Sequence, residues 1–299
     1  MKKLKLIPKK NKEILGHSGA VYACMTKGDY IYTGSSDKYL TRWRISDGSQ
    51  DKFAIKFDHS VYAMNITKDD FLVVGLSSGA LHFFDLNKRK EIKFYTQHKK
   101  AIFSIQYNLI KNHIYVADAD GNLSIWESDG SKLLIYLPLG CGKVRSIDVL
   151  SDGSCFALAC QDGKIRVFES EFFNEISSIN GHKEGVNSLL FHPLNNNQLI
   201  SGGKDALLKL WDWKSGKELK SIAAHNYAIY RISSIKCGEL IVTASRDKNI
   251  KLWNSSLDIL KRIDYKLGGH NHSVNDICII DESTFVSCSD DKRIIIWNL

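Results

Sequence analysis

SGGKDALLKLW, residues 201–211, sets a double glycine, a lysine and an aspartate ahead of an alternating apolar run that closes on tryptophan. Alone it admits three readings: a piece of phosphate-binding loop, a catalytic acid at Asp205, or one strand–turn–strand of a repeated unit. Self-similarity decides among them. The stretch recurs as TGSSDKYLTRW ending at Trp43, VGLSSGALHFF at Phe84 and VADADGNLSIW at Trp126. It returns as LACQDGKIRVF at Phe168, TASRDKNIKLW at Trp253 and SCSDDKRIIIW at Trp297. With Trp211 there are seven aromatic ends, spaced 41, 42, 42, 43, 42 and 44 residues apart, and they fill the chain.

An aspartate stands six residues before the aromatic at Asp37, Asp120, Asp162, Asp205, Asp247 and Asp291; the second copy has Ser78. Lys, Gly or Ala follows each aspartate, between alternating apolar residues, which is how a tight hairpin turn is written. Upstream lies a β-rich run such as YIYTGS or LIVTAS, and downstream a strand of period two such as IKLW. Most copies open with a histidine and an apolar residue four on: His17/Val21, His98/Ile102, His182/Val186, His225/Ile229 and His270/Val274. A less regular strand, such as KELKSI, leads to the next histidine. Each unit thus predicts four short strands. One such sheet cannot bury both faces, whereas seven stacked around an axis can.

On these residues the whole chain resembles the WD-repeat (Trp-Asp repeat) family. The resemblance implies an all-β, seven-bladed β-propeller of four-stranded antiparallel blades in a single domain, 1–299. The literal Trp-Asp pair survives at Trp211-Asp212; Trp43-Arg44, Phe84-Asp85, Trp126-Glu127, Phe168-Glu169, Trp253-Asn254 and Trp297-Asn298 stand in elsewhere. The seventh unit runs out two residues past Trp297, at Leu299, so it lacks an outer strand. KKNKEILG before His17 resembles the outer-strand segment KELKSIAA before His225. Residues 9–15 are therefore expected to complete the last blade and close the ring.

A hydroxyl ten residues before the aromatic completes four sets: His17-Thr33-Asp37-Trp43, His182-Ser201-Asp205-Trp211, His225-Thr243-Asp247-Trp253 and His270-Ser287-Asp291-Trp297. Hydroxyl, imidazole and carboxylate are also the parts of a hydrolase triad. A triad is needed once, beside one pocket, while these recur from blade to blade. The family resemblance implies a structural chain of hydrogen bonds, from aspartate to histidine to hydroxyl to indole. Blade 3 has Val116 at the hydroxyl position. Blade 2 has Val74, Ser78 and Phe84, with His59 two residues late. Blade 4 has Leu158 and Phe168, with Cys141 near the histidine's place. Blades 2 to 4 are expected to be held by packing instead.

Nothing in the sequence announces an enzyme. Neither Gly202-Gly203-Lys204 nor Gly140 to Lys143 has the spacing of a phosphate loop, and no metal pair on a helix or nucleophile elbow is visible. No cofactor or metal is expected. Seven cysteines, with no C-x-x-C pair, argue against a disulfide frame or zinc site. There is no apolar run of about 18 residues and no apolar segment fit for a signal peptide. An intracellular, cytoplasmic monomer is expected.

The net charge of +8 is concentrated at one end: Lys2, Lys3, Lys5, Lys9, Lys10 and Lys12 precede the first acid, Glu13. Such an arm could hold nucleic acid or an anionic membrane. More often such an arm is a solvated end, here partly the closing strand, and the body of the chain carries no nucleic-acid signature.

In the family, partners dock around the channel mouth. The matching positions include Tyr22, Tyr62, Phe103 and Tyr230, an aromatic arc over blades 6, 1, 2 and 3, interrupted in blade 7 by Asn275. They also include Lys143, Arg145, Lys204 and Arg246, a basic group over blades 4 to 6. Aromatics and arginine dominate binding hot spots. A non-enzymatic interaction scaffold follows, taking a protein or peptide partner with an acidic or phosphorylated group. The competing reading is that the aromatics plug the channel. The alternative function is nucleic-acid or membrane binding through the lysine arm.

Overall fold

The computed structural model describes residues 7–299. Lys2, Lys3 and Lys5 lie outside that range. Strand β1 is Lys9–Ile14. Blade 1 follows with β2 (Val21–Lys27), β3 (Tyr30–Ser35), β4 (Tyr39–Arg44) and β5 (Gln50–Lys56). Blade 2 holds β6 (Val61–Ile66), β7 (Phe71–Leu76), β8 (Leu81–Asp85) and β9 (Lys90–Tyr95). Blade 3 holds β10 (Ile102–Asn108), β11 (His113–Asp118), β12 (Asn122–Glu127) and β13 (Leu133–Pro138). Blade 4 holds β14 (Val144–Val149), β15 (Cys155–Cys160), β16 (Lys164–Glu169) and β17 (Glu175–Asn180). Blade 5 holds β18 (Val186–Phe191), β19 (Gln198–Gly203), β20 (Leu207–Asp212) and β21 (Lys217–Ala223). Blade 6 holds β22 (Ile229–Ile235), β23 (Leu240–Ser245), β24 (Ile250–Asn254) and β25 (Ile259–Ile263). Blade 7 holds β26 (Val274–Ile279), β27 (Thr284–Ser289) and β28 (Ile294–Asn298).

Each blade is a four-stranded antiparallel sheet, and the seventh takes β1 as its outer strand, in the order β1-β28-β27-β26. The closing strand expected at residues 9–15 is thus in place. Lys9 pairs with Asn298 and Ile14 with Ile294. Ile14 is 2% exposed and packs with Trp43, Val286 and Ile294, so β1 joins blade 7 to blade 1. Glu13 Oε2 lies 3.3 Å from Arg293 Nη1.

The turn after β3 and its counterparts explains why an aspartate is repeated. The next residue is left-handed in every blade: Lys38, Gly79, Gly121, Gly163, Ala206, Lys248 and Lys292 have φ between +66° and +92°. A side chain there is strained unless the turn is held. Asp205 Oδ1 accepts from Leu207 N at 3.1 Å, and Asp37, Asp162, Asp247 and Asp291 make the same bond two residues ahead.

The core is divided as the repeat requires. Seven apolar clusters occupy the seven seams between neighbouring blades. Each repeat aromatic faces the preceding blade: Trp211 lies among blade 4 side chains and Trp253 among those of blade 5. Full burial of one such side chain stabilises by about 1.5–3 kcal/mol. The innermost strands are clasped as well. Ser104 Oγ accepts from Ile147 N at 3.0 Å, Ser188 Oγ from Ile232 N at 2.9 Å, and Asp276 Oδ2 from Cys24 N at 3.0 Å.

Candidate functional site

The four sets of histidine, hydroxyl, aspartate and tryptophan are drawn together in space. In blade 5, Asp205 Oδ1 is 2.9 Å from His182 Nδ1, Ser201 Oγ is 2.8 Å from His182 Nε2, and Trp211 Nε1 donates to Ser201 Oγ at 2.8 Å. Blade 1 gives 2.8, 2.8 and 2.7 Å for Asp37–His17–Thr33–Trp43. Blade 6 gives 2.9, 2.8 and 3.0 Å for Asp247–His225–Thr243–Trp253. Blade 7 gives 3.0, 2.8 and 2.9 Å for Asp291–His270–Ser287–Trp297.

Proton bookkeeping fixes the direction: indole N–H to hydroxyl oxygen, hydroxyl O–H to Nε2, Nδ1–H to carboxylate. Burial depresses the pKa of His17 and His225, which favours this neutral tautomer. Burial alone would raise Asp205, but the hydrogen bond from His182 holds it below the ordinary carboxylate range. Every hydroxyl is already committed and fully buried, so none is a nucleophile. The double glycine serves packing. A Cβ on Gly203 would collide with His182 and Asp205, and one on Gly202 would meet Ile229 of the next blade.

Blade 3 corrects the expectation that blades 2 to 4 lack a network. His98 Nδ1 meets Asp118 Oδ2 at 2.8 Å, His98 Nε2 meets Ser124 Oγ at 2.7 Å, and Trp126 Nε1 donates to Ser124 Oγ at 2.8 Å. The hydroxyl missing at Val116 comes from Ser124, its partner across the ladder. Asp118 replaces Asp120, which is exposed. Blade 1 shows why the swap works: Thr41, at the place of Ser124, also reaches His17 Nε2, at 3.0 Å.

Blades 2 and 4 are packed. Phe57 fills the histidine's place in blade 2, while His59 is exposed. In blade 4 a run of stacked rings, Tyr115–Phe156 at 4.5 Å and Phe156–Phe168 at 5.2 Å, seals the seam with blade 3.

The mouth residues owe their direction to a repeated irregularity. The register slips once near the start of every innermost strand: between Val21 and Ala23, Val61 and Ala63, Ile102 and Ser104, and likewise in the other blades. The residue skipped is Tyr22, Tyr62, Phe103, Arg145, Asn187, Tyr230 or Asn275. A bulge frees a side chain from the alternation of the ladder and re-aims it. Here all seven line one cavity of 430 Å³, with Lys143 and Asp290. An adjoining cavity of 250 Å³ adds Lys204 and Arg246. The eight mouth residues picked out by the family positions therefore lie around two connected hollows.

Their contacts form a ladder of rings ending in a guanidinium. Tyr22 meets Tyr62 edge-on at 4.9 Å, Tyr62 stacks on Phe103 at 5.4 Å, and the Arg145 guanidinium lies 4.7 Å from the Phe103 ring centroid. Lys143 Nζ covers the same ring at 5.6 Å. Burial lowers the pKa of Arg145, and no carboxylate among the described residues pairs with it. Asp290 is held at 2.8 Å by Asn275 Nδ2. Two mouth residues escaped the sequence reading. Tyr227, 58% exposed beneath Arg246, and Glu184 lie in loops whose positions carry no repeat signal.

Beneath the mouth the channel holds a charged group that no motif announced. Arg231 Nε is 3.1 Å from Asp276 Oδ1. Asp148 Oδ2 accepts from Phe191 N at 2.7 Å. Burial pushes both carboxyls up to about 7, against the pull of Arg231.

The described part of the lysine arm is engaged with the ring. Lys10 Nζ pairs with Glu13 at 2.9 Å, and Lys12 Nζ donates to the carbonyls of Ile45 and Ser46 in blade 1. Among the described residues no group of three or more His, Cys, Asp or Glu is placed to hold a metal ion, and no helix is long and apolar enough to cross a membrane.

Comparison with known proteins agrees with this geometry. The family described as WD domain, G-beta repeat matches residues 8–44 and 261–298, the two stretches that meet at the ring closure. The family described as tRNA methyltransferase TRM82 WD40 domain matches residues 177–236. Nuclear distribution protein nudF 1 of Talaromyces marneffei is 33% identical over 125 residues, 41% of this chain and 27% of its own length. Serine-threonine kinase receptor-associated protein of Gallus gallus is 25% identical over 248 residues, 81% of this chain and 69% of its own. The WD repeat-containing protein 55 homolog of Dictyostelium discoideum is 23% identical over 230 residues, 76% of this chain and 55% of its own. The match to the first of these spans about a quarter of that relative's length.

Proposed function

Because the chain belongs to the WD-repeat family of β-propellers, generally non-catalytic platforms for protein binding, we propose that it is an interaction scaffold whose partner docks at the channel mouth. The observation that carries this reading is the ring ladder Tyr22–Tyr62–Phe103 ending on Arg145, a half-buried cation that forms no ion pair among the described residues. Rigid rings supply contact area at small entropic cost, and an unpaired guanidinium takes a carboxylate or phosphate as a forked acceptor. The occupant is an extended peptide segment of a protein partner. Its apolar residues lie over blades 1 to 3, and its acidic or phosphorylated group over Arg145, Lys143, Lys204 and Arg246.

This reading is preferred to the plug, because a plug has no use for four cations. It is preferred to binding through the lysine arm, because Lys12 is bound to the Ile45 and Ser46 carbonyls of blade 1 and Lys10 to Glu13 of its own strand. We further propose a cytoplasmic monomer; the seven free thiols support the compartment.

The test is Tyr62→Ala combined with Arg145→Glu, read by pulldown of the native partner and by melting temperature. Binding is expected to vanish while the melting temperature holds. Retained binding would move the interface elsewhere.

A further inference from the structure

A hollow larger than either of those at the mouth lies at the side of the ring. At 740 Å³ it opens between the outer strands of blades 1 and 2, and a second of 460 Å³ adjoins it. Ile55, Phe84 and Glu91 line both, so the two form one groove along the seam. Blades arranged radially diverge toward their outer strands, and a wedge between them must be filled by side chains. Elsewhere the repeat aromatic does this: Trp43, Trp126, Trp211, Trp253 and Trp297 and also Phe168 are at most 4% exposed. Phe84 occupies the same register, across from Leu72 as Trp43 is across from Ile31, but stays only partly buried. Blade 2 has no indole; His82 stacks on Phe84 at 6.1 Å and Phe57 meets it edge-on at 6.0 Å, yet Phe84 is not sealed as Phe168 is. The groove lies where the repeat falls short.

Its charges are unbalanced in one direction. The three acids of the lower hollow are already engaged: Asp51 with Arg42 at 3.0 Å, Asp85 with Lys88 at 3.0 Å and Glu91 with His82 at 2.7 Å. Arg44, Lys52, Arg89 and Lys90 line the same hollow and form no ion pair among the described residues. We infer that this seam is a second docking groove, independent of the mouth, for an extended acidic peptide segment of a partner protein.

Length, polarity and chemistry each narrow the occupant. Strand β5, which walls the groove, has seven residues. At about 3.3 Å per residue it matches an extended segment of similar length. The acidic end of that segment lies at the β4–β5 and β8–β9 turns, where Arg44 and Arg89 stand. The upper hollow sets Asp58, which forms no ion pair among the described residues, against Lys56 and Lys99, so it lacks the cationic excess of the lower one. It offers an apolar anchor, Phe94, 54% exposed. Single-stranded nucleic acid fits less well, because it needs successive open rings. The rings at the lower end are covered, with Arg42 lying 4.2 Å from the centroid of Tyr30 and 5.0 Å from that of Phe53.

The experiment uses the full chain and a fluorescein-labelled peptide alternating aspartate with leucine, read by anisotropy. The same peptide with asparagine for aspartate is the control, with oligothymidylate as a second probe. The acidic peptide is expected to bind and the asparagine peptide not. Arg44→Glu with Lys52→Glu, both at exposed positions, should weaken it about tenfold or more. Phe84→Trp restores the indole of the other blades and should weaken it likewise with the cations intact. Tyr62→Ala with Arg145→Glu should leave it unchanged, which separates this groove from the mouth. Equal binding of the two peptides, or unaltered affinity in both groove variants, would overturn the inference. So would loss in the mouth variant alone, or preferred binding of oligothymidylate that the charge reversals abolish.

Discussion

Asp118 Oδ2 lies 2.8 Å from His98 Nδ1, two residues ahead of the turn position that supplies the carboxylate in blades 1, 5, 6 and 7. Both side chains are fully buried. Asp118 also caps the turn, accepting from Asn122 N at 2.9 Å. One carboxylate therefore does for blade 3 what the turn aspartate does elsewhere.

Asp118→Ala should cost ~2–4 kcal/mol, because it strands a buried imidazole N–H and frees the turn. Asp120→Ala, at an exposed position, should stay within ~0.5 kcal/mol. Urea unfolding of the two variants checks this, and equal midpoints would contradict the rewired network.

The networked histidines should outweigh the unattached one. His182→Ala removes the centre of a chain joining Asp205 to Trp211 and is expected to destabilise by ~2–3 kcal/mol. His59→Ala should leave the melting temperature almost unchanged, since Phe57 holds the place that His59 misses. Equal thermal shifts would show that the chain adds nothing beyond packing.

Ring closure gives a third expectation. Deleting residues 1–15 removes Ile14 from its cluster and exposes the edge of β28. The product should melt lower and self-associate in size-exclusion chromatography. Ile14→Ala, a milder version, should cost ~2–4 kcal/mol. A truncated chain with unchanged melting and elution would refute the closure.

The channel acids set a pH dependence. Asp148 and Asp276 have folded pKa values near 7, above the unfolded value of about 3.9. The native state therefore binds more protons in that window. Their contribution is full below about pH 3.9 and is lost as pH rises through about 7. Asp148→Asn keeps an acceptor for Phe191 N but removes one titration. Its melting temperature relative to wild type should climb between about pH 4 and pH 8. Parallel curves would mean that Asp148 ionises as it does in water.

The fold was legible because the repeat was written seven times, and a period of about 42 residues leaves little choice of architecture. Four networks could be assembled from sequence because their members keep fixed offsets from the aromatic. Blade 3 escaped for a physical reason. A hydrogen-bond network needs a hydroxyl at a point in space, and two residues facing each other across a ladder, Val116 and Ser124, can each provide that point. Offsets along the chain see only one of them. The mouth was legible through family positions. The seven bulges that aim it were not, because a bulge is a property of two strands together. The side groove was hidden differently: the sequence shows Phe84 in place of tryptophan, but not whether neighbouring rings make up the missing volume, as they do for Phe168.

The pairing of β1 with β28 also has a temporal side. Asn11 and Asn298, whose side chains meet at 3.2 Å, are 287 positions apart. A ribosome releases β1 before the other strands of the ring and β28 after them, so the first strand of the ring to be made is the last to find its mate. Until then β1 must travel as an orphan, and the charges of Lys9, Lys10 and Lys12 are what keep it from choosing another chain's sheet.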